Sequence, residues 1–297
     1  MTNRLLIWNI IGGLGNQMFQ YASAYACAYR MKAVLQLATD MFDDYRLHQG
    51  FELNDIFSIS VPVCTANELK KVLGWRTMPS VRKLLSRYRQ LSYLDGNAVF
   101  EPHFEYWVDL DNFISNKSYI HGYWQSERYF KNQAGLIRKE FQFRNAPDQL
   151  NSVVLHEIQK APSASIHVRR GDYLNAKTAT VHSLCSEEYY FKAIKLLQAC
   201  IPGIRFFVFS DDVGWVKQVL VPHYKEMVVV DHNRKKNSFN DMLLMSKCEH
   251  HIIANSSFSW WGAWLNPNPD KIVIAPSKWF TNNKNSADII PKEWMRI

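Results

Sequence analysis

Two adjacent arginines follow an apolar run in the second half of the chain. The run Ser163–Val168 has the length of a buried strand, contains His167, and leads into Arg169, Arg170 and Asp172. A guanidinium group is a planar fork of N–H donors that stays charged and matches the geometry of a phosphate. The pair therefore predicts an anion site, such as a site for a diphosphate. The alternative is a structural ion pair with Asp172 or another acid.

A second set of polar residues follows a later apolar run. Asn255, Ser256 and Ser257 stand where a helix is predicted to begin, and the apolar spacing from Phe258 onward is that of a buried helical face. Asn and Ser are common N-cap residues, and a helix start directs N–H groups and a positive dipole end toward an anion. These residues predict a phosphate site near the arginines, although capping alone would account for Ser256.

The first apolar run of the chain ends in a glycine-rich loop. Its glycines, Gly13 and Gly15 among them, precede Asn16 and Gln17 at the start of a predicted helix. The dinucleotide pattern G-x-G-x-x-G is incomplete, because Met18 stands at the third glycine, and no Walker A lysine follows. Glycines still let the backbone approach a ligand closely, and the two amides can hydrogen bond to one. The alternative is a tight turn without a ligand.

The acidic and histidine residues do not form a pattern typical of a metal site. Asp109 and Asp111 spell D-x-D, as in metal-dependent sugar transfer, but they stand apart from the phosphate candidates in the sequence. His250 and His251 are neighbours and would face opposite sides of a strand. We therefore predict no metal ligands.

Alternating strand and helix patterns explain how the phosphate candidates would be brought together. Near the N-terminus the order is strand, glycine loop, helix (17–31) and strand, and in the second half apolar runs alternate with helical patterns. Such alternation predicts parallel sheets with helices on both faces. In these sheets ligands bind beyond the carboxyl ends of the strands. Asp211, which follows the apolar run 205–210, is therefore expected at the same edge as Arg169.

The composition is that of an ordinary globular chain with a basic charge. Its 297 residues, 47% hydrophobic, can form two cores, and we place the boundary near Pro147, giving domains of residues 1–150 and 151–297. A net charge of +8 favours anionic partners. The basic segments 82–89 and 232–236 are short, and a solvated face explains both, so we predict no nucleic-acid partner.

The cysteines and the hydropathy indicate a cellular compartment. Five cysteines are widely spaced and include no C-x-x-C pair, which argues against a disulfide framework and a zinc ribbon. The N-terminus lacks a signal-peptide cleavage site, and no apolar window reaches the 18 residues of a membrane span. We expect a cytoplasmic protein that rests on the inner membrane surface.

Several segments taken together resemble the bacterial α-1,2-fucosyltransferases, which form glycosyltransferase family 11. The segments are GGLGNQMFQYA, HVRRGDY, FSDD, NSSFSWWGAWL, GYWQSERYF, CSEEYYFKAI and APSKWF, and they extend from Gly12 to about Phe280. HVRRGDY is also similar to a segment of α-1,6- and protein O-fucosyltransferases. The resemblance implies an α/β fold of the GT-B type, in which two Rossmann-like domains face each other across a cleft.

The same resemblance implies a reaction. L-Fucose would pass from GDP-β-L-fucose, with inversion and without a metal or other cofactor, to the 2-hydroxyl of a terminal β-galactoside. The acceptor glycan would be an O-antigen unit or an oligosaccharide. The domain 151–297 would bind the donor, and the domain 1–150 would bind the acceptor. The alternatives are fucosyl transfer with another linkage, such as α-1,6, and a nucleotide- or glycan-binding module without turnover.

The resemblance also implies roles for individual residues. Arg169 would be the main contact of the donor diphosphate, Arg170 and Asp172 would support the loop or the guanosine, and Asn16 would lie near the transferred sugar. The general base is left open between Asp172, Glu127 and Asp241. The expected donor site comprises Gly13, Gly15, His167, Arg169, Arg170, Asp211, Asn255, Ser256, Ser257 and Phe258. The expected acceptor site comprises Gln17, Trp124, Gln125 and Glu127.

Overall fold

Two α/β units make up the chain, which divides between Arg144 and Asn145, while Ala287–Ile289 joins the first unit. The division expected from the sequence, at residue 150, falls inside the helix Gln149–Ile158. That helix belongs to the second unit, where Asn151 and Asn233 exchange two side-chain hydrogen bonds of 3.0 and 2.8 Å. The computed structural model describes residues 4–42, 49–87, 96–171, 184–224, 227–281 and 285–297.

A parallel sheet of four strands forms the centre of the first unit. The strands are β1 (Leu5–Asn9), β2 (Val34–Ala38), β3 (Ala98–Phe100) and β4 (Lys117–His121). They lie in the order β2-β1-β4-β3. In the register of the central strand, Ile7 pairs with Gln36 on one side and with Tyr119 on the other. The loops that follow β1 and β4 therefore begin side by side, because the strands are parallel neighbours.

The helices of the first unit begin with one that the sequence predicts well. The pattern over 17–31 is confirmed by α1 (Leu14–Met31), which is buried over most of its length and rich in alanine, a strong helix former. It ends at Lys32, whose φ of 50° is left-handed. The later helices are α2 (Leu53–Ile56), α3 (Ala66–Leu73), α4 (Pro79–Arg87) and α5 (Ala134–Glu140). Single 3₁₀ turns cover Asp40–Phe42, Gly74–Thr77, Leu110–Phe113, Glu127–Tyr129 and Lys131–Gln133.

The second unit contains a parallel sheet of six strands. They are β5 (Ser163–Val168), β6 (Arg205–Ser210), β7 (Met227–Val230), β8 (His250–Ile252), β9 (Val273–Ala275) and β10 (Met295–Arg296). Their order is β10-β9-β8-β5-β6-β7. The chain leaves β5 toward β6 and leaves β8 toward β9, in opposite directions, so the winding reverses between β5 and β8. Doubly wound sheets typically bind their ligands at such a reversal.

Helices cover the sheet of the second unit. They are α6 (Gln149–Ile158), α7 (Glu187–Cys200), α8 (Val213–Val219), α9 (Phe239–Met245) and α10 (Ser257–Leu265), with 3₁₀ turns at Val221–His223 and Lys235–Asn237. All six residues of β5 are buried, as expected for a parallel strand covered on both faces. For the polar segment 134–160 the sequence predicts a helix interrupted near Pro147, and the structure has two helices there, α5 and α6, with Pro147 between them.

The aromatic residues are mostly core. Eight of the ten tryptophans are buried, and in the second unit Trp260 packs against Trp261, Trp264 and Trp294 with ring centroids 4.9–6.1 Å apart. The surplus of aromatic residues therefore reflects packing, and it does not by itself mark a sugar site. Among the described residues, no helix is both long and apolar enough to cross a membrane.

Candidate active site

The two arginines after β5 are held by acids after the neighbouring strand. Arg169 Nε lies 3.2 Å from Asp211 Oδ2, and the Arg170 N–H donates to Asp211 Oδ1 over 2.8 Å. Arg170 Nε lies 3.5 Å from Asp212 Oδ2, and its guanidinium packs 4.5 Å from the Trp215 ring. Both ion pairs form because β5 and β6 are parallel neighbours whose carboxyl ends coincide. The acids fix the direction of the guanidinium groups. The sequence left the ion-pair partner open between Asp172 and another acid, and the structure shows Asp211 and Asp212 as partners.

His167 places an uncharged ring beside Arg169. The residue is buried, and its Nδ1 has no hydrogen-bond partner in the described part of the chain. Burial, together with the nearby charge of Arg169, lowers the pKa of His167 to about 3. The ring lies 5.8 Å from the Phe258 ring, and the Tyr190 hydroxyl donates to the His167 carbonyl. A buried nitrogen without a hydrogen-bond partner costs about 1–3 kcal/mol, a cost that a hydrogen bond between Nδ1 and a bound ligand would remove.

The helix start after β8 lies at the same edge of the sheet. Ser256 caps α10, since its Oγ accepts from the Phe258 N–H over 3.3 Å. Ser257 is the first residue of the helix and is half-buried. Asn255 is buried instead, where its Nδ2 donates to the Trp279 carbonyl and its Oδ1 accepts from the Cys185 thiol. Asn255 thus anchors the strand end, while the first turn of α10 offers backbone N–H groups to an anion.

The reversal point of the second sheet therefore collects most of the expected donor residues. Because β8 pairs with β5 and β5 with β6, the ends of all three strands are adjacent. Asp172 lies outside the described residues. The residues that the topology gathers at this edge are His167, Arg169, Arg170, Asp211, Ser256, Ser257 and Phe258.

The glycine loop belongs to the first unit and lies at the end of β1. Gly12 has a left-handed φ of 84°, and a Cβ there would stand 2.9 Å from Asn16 Nδ2. Gly13 is the N-cap of α1, with its carbonyl accepting from the Asn16 N–H. Gly15 is buried in the first turn of the helix. The loop therefore needs glycine at position 12 for its backbone conformation and for the placement of the Asn16 amide.

Gln17 braces this loop from inside. Its Nε2 donates to the carbonyls of Gly12 and Gly50, over 2.9 and 2.8 Å, and its Oε1 accepts from the Glu52 N–H over 2.9 Å. The side chain is completely buried. An amide committed to three backbone groups holds the loop together, and we do not assign Gln17 a contact with the acceptor.

Asn16 is oriented by Gln125 from the loop after β4. Gln125 Nε2 donates to Asn16 Oδ1 over 2.5 Å. The loop is held by Glu101, whose carboxylate accepts from the N–H groups of Tyr123 and Trp124, each over 2.9 Å. Because Gln125 donates to the Asn16 oxygen, the amide is oriented with its Nδ2 on the side of Gly12. The sequence placed both residues in the site without predicting their contact.

The other two residues expected at the acceptor are differently placed. Trp124 is completely buried, with a φ of 54° and its ring packed against Trp8 and Tyr129. It is a core residue of the first unit. Glu127 is largely buried in a 3₁₀ turn, and its carboxylate pairs with Lys131 over 3.3 Å. We therefore assign neither residue a direct contact with the acceptor.

Among the described residues, two carboxyl groups have pKa values raised to about 7, which suits proton transfer near neutral pH. Burial raises the pKa of Asp241, in the first turn of α9, to about 7, although the Asn233 amide donates to it over 2.8 Å. Burial, and secondarily the charge of Asp55, raises the pKa of Glu52 to about 7. Glu52 lies beside the glycine loop, since its N–H donates to Gln17. Sequence analysis missed Glu52, because no motif marks it.

The D-x-D sequence is part of a structural ion pair. Both oxygens of Asp111 accept from Arg30, which reaches them from α1 over 2.9 and 3.1 Å. Elsewhere in the described ranges, no three His, Cys, Asp or Glu residues lie close enough to hold a metal ion.

Two Rossmann-like α/β units, one of which carries cationic and N–H groups at its reversal point, define a glycosyltransferase of the GT-B fold type. The chain belongs to glycosyl transferase family 11, whose model matches residues 80–297. This confirms the family and the fold class inferred from the sequence.

Known relatives extend over the whole chain. It is 34% identical to an alpha-1,2-colitosyltransferase of Escherichia coli, covering 99% of both chains. It is also 34% identical to the O-antigen biosynthesis glycosyltransferase WbnK of Escherichia coli, covering 96% of this chain and 98% of that one. A more distant relative is the galactoside alpha-(1,2)-fucosyltransferase 2 of Rattus norvegicus, at 26% identity over 97% of this chain and 75% of that one.

A solved structure has the same fold. The alpha-1,6-fucosyltransferase NodZ, from Bradyrhizobium and co-crystallised with GDP, superimposes with a TM-score of 0.57 at 17% identity. The match covers 90% of this chain and 94% of NodZ. At this identity the likeness concerns the fold.

Proposed function

We propose that the protein transfers L-fucose from GDP-β-L-fucose to the 2-hydroxyl of a terminal β-galactoside, with inversion and without a metal ion. The second unit binds the donor and the first unit binds the acceptor. The observation that carries the proposal is the edge of the second sheet, where Arg169, the unpaired nitrogen of His167 and the start of α10 come together. Cations and N–H groups at one point suit a diphosphate.

The proposed chemistry follows from these groups. Breaking the bond between fucose and phosphate develops negative charge on the GDP and positive charge on the anomeric carbon. Arg169 and the N–H groups of α10 are fixed before the reaction and stabilise the departing diphosphate without reorganising. The neutral ring of His167 adds a hydrogen bond and no charge. Arginine thereby supplies the stabilisation that a divalent cation provides in metal-dependent transferases.

The first unit supplies the groups we assign to the acceptor side. Asn16 Nδ2 donates to a sugar oxygen, because Gln125 holds the Asn16 oxygen. The attacking hydroxyl loses its proton during transfer, and a base within hydrogen-bond reach would accept that proton. Glu52 is the base we favour, because its pKa of about 7 and its position beside the Asn16 loop combine in one residue. Asp241 has a similar pKa, but it belongs to the second unit and is engaged by Asn233.

The acceptor class rests on the relatives. The rat relative is named a galactoside alpha-(1,2)-fucosyltransferase. One E. coli relative is named an alpha-1,2-colitosyltransferase, and the other an O-antigen biosynthesis glycosyltransferase. An O-antigen unit with a terminal β-galactoside is therefore the acceptor we propose. The α-1,6 linkage named for NodZ comes from a protein that shares only the fold.

One observation favours a second candidate donor, a colitosyl nucleotide. The colitosyltransferase is 34% identical over 99% of the chain, while the rat fucosyltransferase is 26% identical. The same edge of the second sheet would hold the diphosphate of either donor, so the choice concerns the sugar alone.

A donor and acceptor panel tests the proposal. The purified protein is incubated with GDP-fucose or a colitosyl nucleotide, and with lactose or a β-galactoside-terminated O-antigen unit. We expect fucosyl transfer, with an α-1,2 linkage in the product by NMR. Transfer only from the colitosyl donor would replace the proposed donor and keep the site. An α-1,6 product, or no transfer from either donor, would contradict the proposal.

A further inference from the structure

Three large apolar side chains on the first unit face solvent close together in the chain. Trp75 is 75% exposed, Met78 is 60% exposed and Leu84 is 55% exposed. Trp75 lies in the 3₁₀ turn Gly74–Thr77, Met78 joins this turn to α4, and Leu84 lies in α4, which contacts the turn. Apolar side chains that are exposed as a group mark interaction surfaces, whereas single exposed apolar residues do not.

Basic residues adjoin this apolar group. On α3 the side chains of Leu69, Val72 and Leu73 pack into the core, and Lys70 and Lys71 are exposed. The end of α3 leads directly into the turn that carries Trp75. From residue 69 to residue 87 the sequence contains six Lys or Arg residues and no Asp or Glu.

The core fixes the helix α4 from its inner face. Arg82 is completely buried, forms an ion pair with Asp40 and donates to the Tyr119 hydroxyl over 3.2 Å. Leu85 packs against the core of the first unit. Leu84, between these two anchors, is therefore held outward by a rigid helix, and its exposure is built into the fold.

We propose that Lys70, Lys71, Trp75, Met78 and Leu84 form a membrane-docking surface that binds bilayers rich in anionic lipid. Tryptophan favours the headgroup level of a bilayer, and Met and Leu side chains can enter the acyl boundary. Lysines beside them are attracted to anionic headgroups. The absence of acidic residues from 69 to 87 complements a negative membrane. The proposal does not depend on the proposed donor or acceptor.

Vesicle sedimentation tests this binding directly. The whole protein is spun with vesicles of phosphatidylcholine alone or of phosphatidylcholine mixed with phosphatidylglycerol. We expect binding to the anionic vesicles and little to the neutral ones. At about 1 M salt, where the screening length falls to about 3 Å, the bound fraction should drop. Equal binding to both vesicle types, or no binding to either, would overturn the proposal.

Two charge-reversal variants distinguish binding through this surface from attraction by the net charge of the whole protein. Lys70→Glu with Lys71→Glu should weaken binding to anionic vesicles by at least about tenfold. Lys235→Glu with Lys236→Glu makes the same change in net charge at exposed residues of the second unit. We expect this control to lose less than about threefold. Equal losses in the two variants would show attraction by the whole protein and would overturn the proposed surface.

A second pair tests the apolar side chains. Trp75→Ala with Met78→Ser should lower vesicle binding by at least about tenfold, since interfacial anchors are lost. Leu150→Ser with Val153→Ser removes comparably exposed apolar side chains from α6 and serves as the control. Melting temperatures show that each variant folds. Unchanged vesicle binding in the first pair would contradict docking through these residues.

The alternative occupant is a second copy of the protein. Light scattering of the wild type in the absence of vesicles distinguishes the two, and we expect a monomer. A dimer that Trp75→Ala with Met78→Ser dissociates would overturn membrane docking in favour of self-association. Transfer to a soluble acceptor should be unchanged in all four variants, so failure of docking and failure of the proposed function remain distinguishable.

Discussion

The amide of Asn16 is oriented by a second amide, and this makes its role testable. With Gln125 donating to Asn16 Oδ1, Asn16 Nδ2 is the atom that would donate to a sugar oxygen. Asn16→Ala should lower turnover by at least about tenfold and change the GDP dissociation constant by less than about threefold. Kinetics and GDP titration check both values. If Asn16 merely supports the helix start, stability falls and turnover does not.

Gln125→Glu is the companion change. A carboxylate cannot donate to Asn16 Oδ1, so the Asn16 amide should reverse and present its oxygen to the ligand. We expect turnover to fall at least about fivefold, with GDP affinity again nearly unchanged. Steady-state rates at saturating donor and acceptor provide the measurement. Full activity in Gln125→Glu would show that the orientation of Asn16 has no part in the reaction.

The pH dependence of the rate tests the choice of base. A base with a pKa of about 7 is protonated below that pH and ionised above it, so turnover should rise as the pH passes through 7 toward 8. Glu52→Gln should remove this rise and lower the rate at least about a hundredfold. Asp241→Asn is the matched control. If Asp241→Asn abolishes the rise and Glu52→Gln does not, the base belongs to the second unit.

At the scale of elements, the glycine loop links backbone conformation to the site. Gly12 and Gly203 both have left-handed φ values, 84° and 73°, but only at Gly12 would a Cβ meet a side chain, that of Asn16. Gly12→Ala and Gly203→Ala should each cost about 1 kcal/mol of stability from backbone strain. Only Gly12→Ala should also lower turnover, which melting curves and kinetics together resolve. Equal turnover in the two variants would separate the loop from catalysis.

The elements were predictable where the pattern is local. The helix α1 and the strands β5 and β6 match the apolar spacing, because buried parallel strands read as continuous apolar runs. The arginines at the end of β5 were predictable for the same reason. The sequence also placed Asp211 at the same end of the sheet as Arg169, but the pairing of each arginine with its acid could not be chosen, since pairing Arg170 with Asp212 requires β6 beside β5.

The first unit was harder to predict because its contacts are distant in sequence. Gln125 meets Asn16 across 109 residues, through the pairing of β1 with β4. Trp124 resembles a sugar-binding residue in sequence, and only the three-dimensional packing shows that its ring is buried against Trp8. Glu52 lies in a segment without periodicity, and its position depends on the side chain of Gln17.

At the scale of the molecule, the proposed reaction replaces a metal ion with arginine. Transfer from GDP-fucose should therefore continue in excess EDTA at a rate within about twofold of the untreated enzyme. Both oxygens of Asp111 accept from Arg30. Added manganese or magnesium serves as the comparison. A strict requirement for either ion would move the diphosphate site and contradict the proposed chemistry.

The central claim is that Arg169, at the carboxyl end of the strands of the second sheet, stabilises the departing diphosphate. Its matched control is Arg205, which also pairs with a carboxylate, Glu157 at 3.1 Å, and is similarly exposed, 25% against 29% for Arg169. Arg205 is the first residue of β6 and therefore lies at the amino end of the strands, opposite the carboxyl end where Arg169 lies.

The most direct measurement is the rate of fucosyl transfer by Arg169→Lys and Arg205→Lys. Both changes keep the positive charge and remove the planar fork. We predict that Arg169→Lys loses at least about a hundredfold in rate, and that Arg205→Lys stays within about twofold of the wild type. A near-normal rate in Arg169→Lys, or equal losses in both variants, would contradict the account.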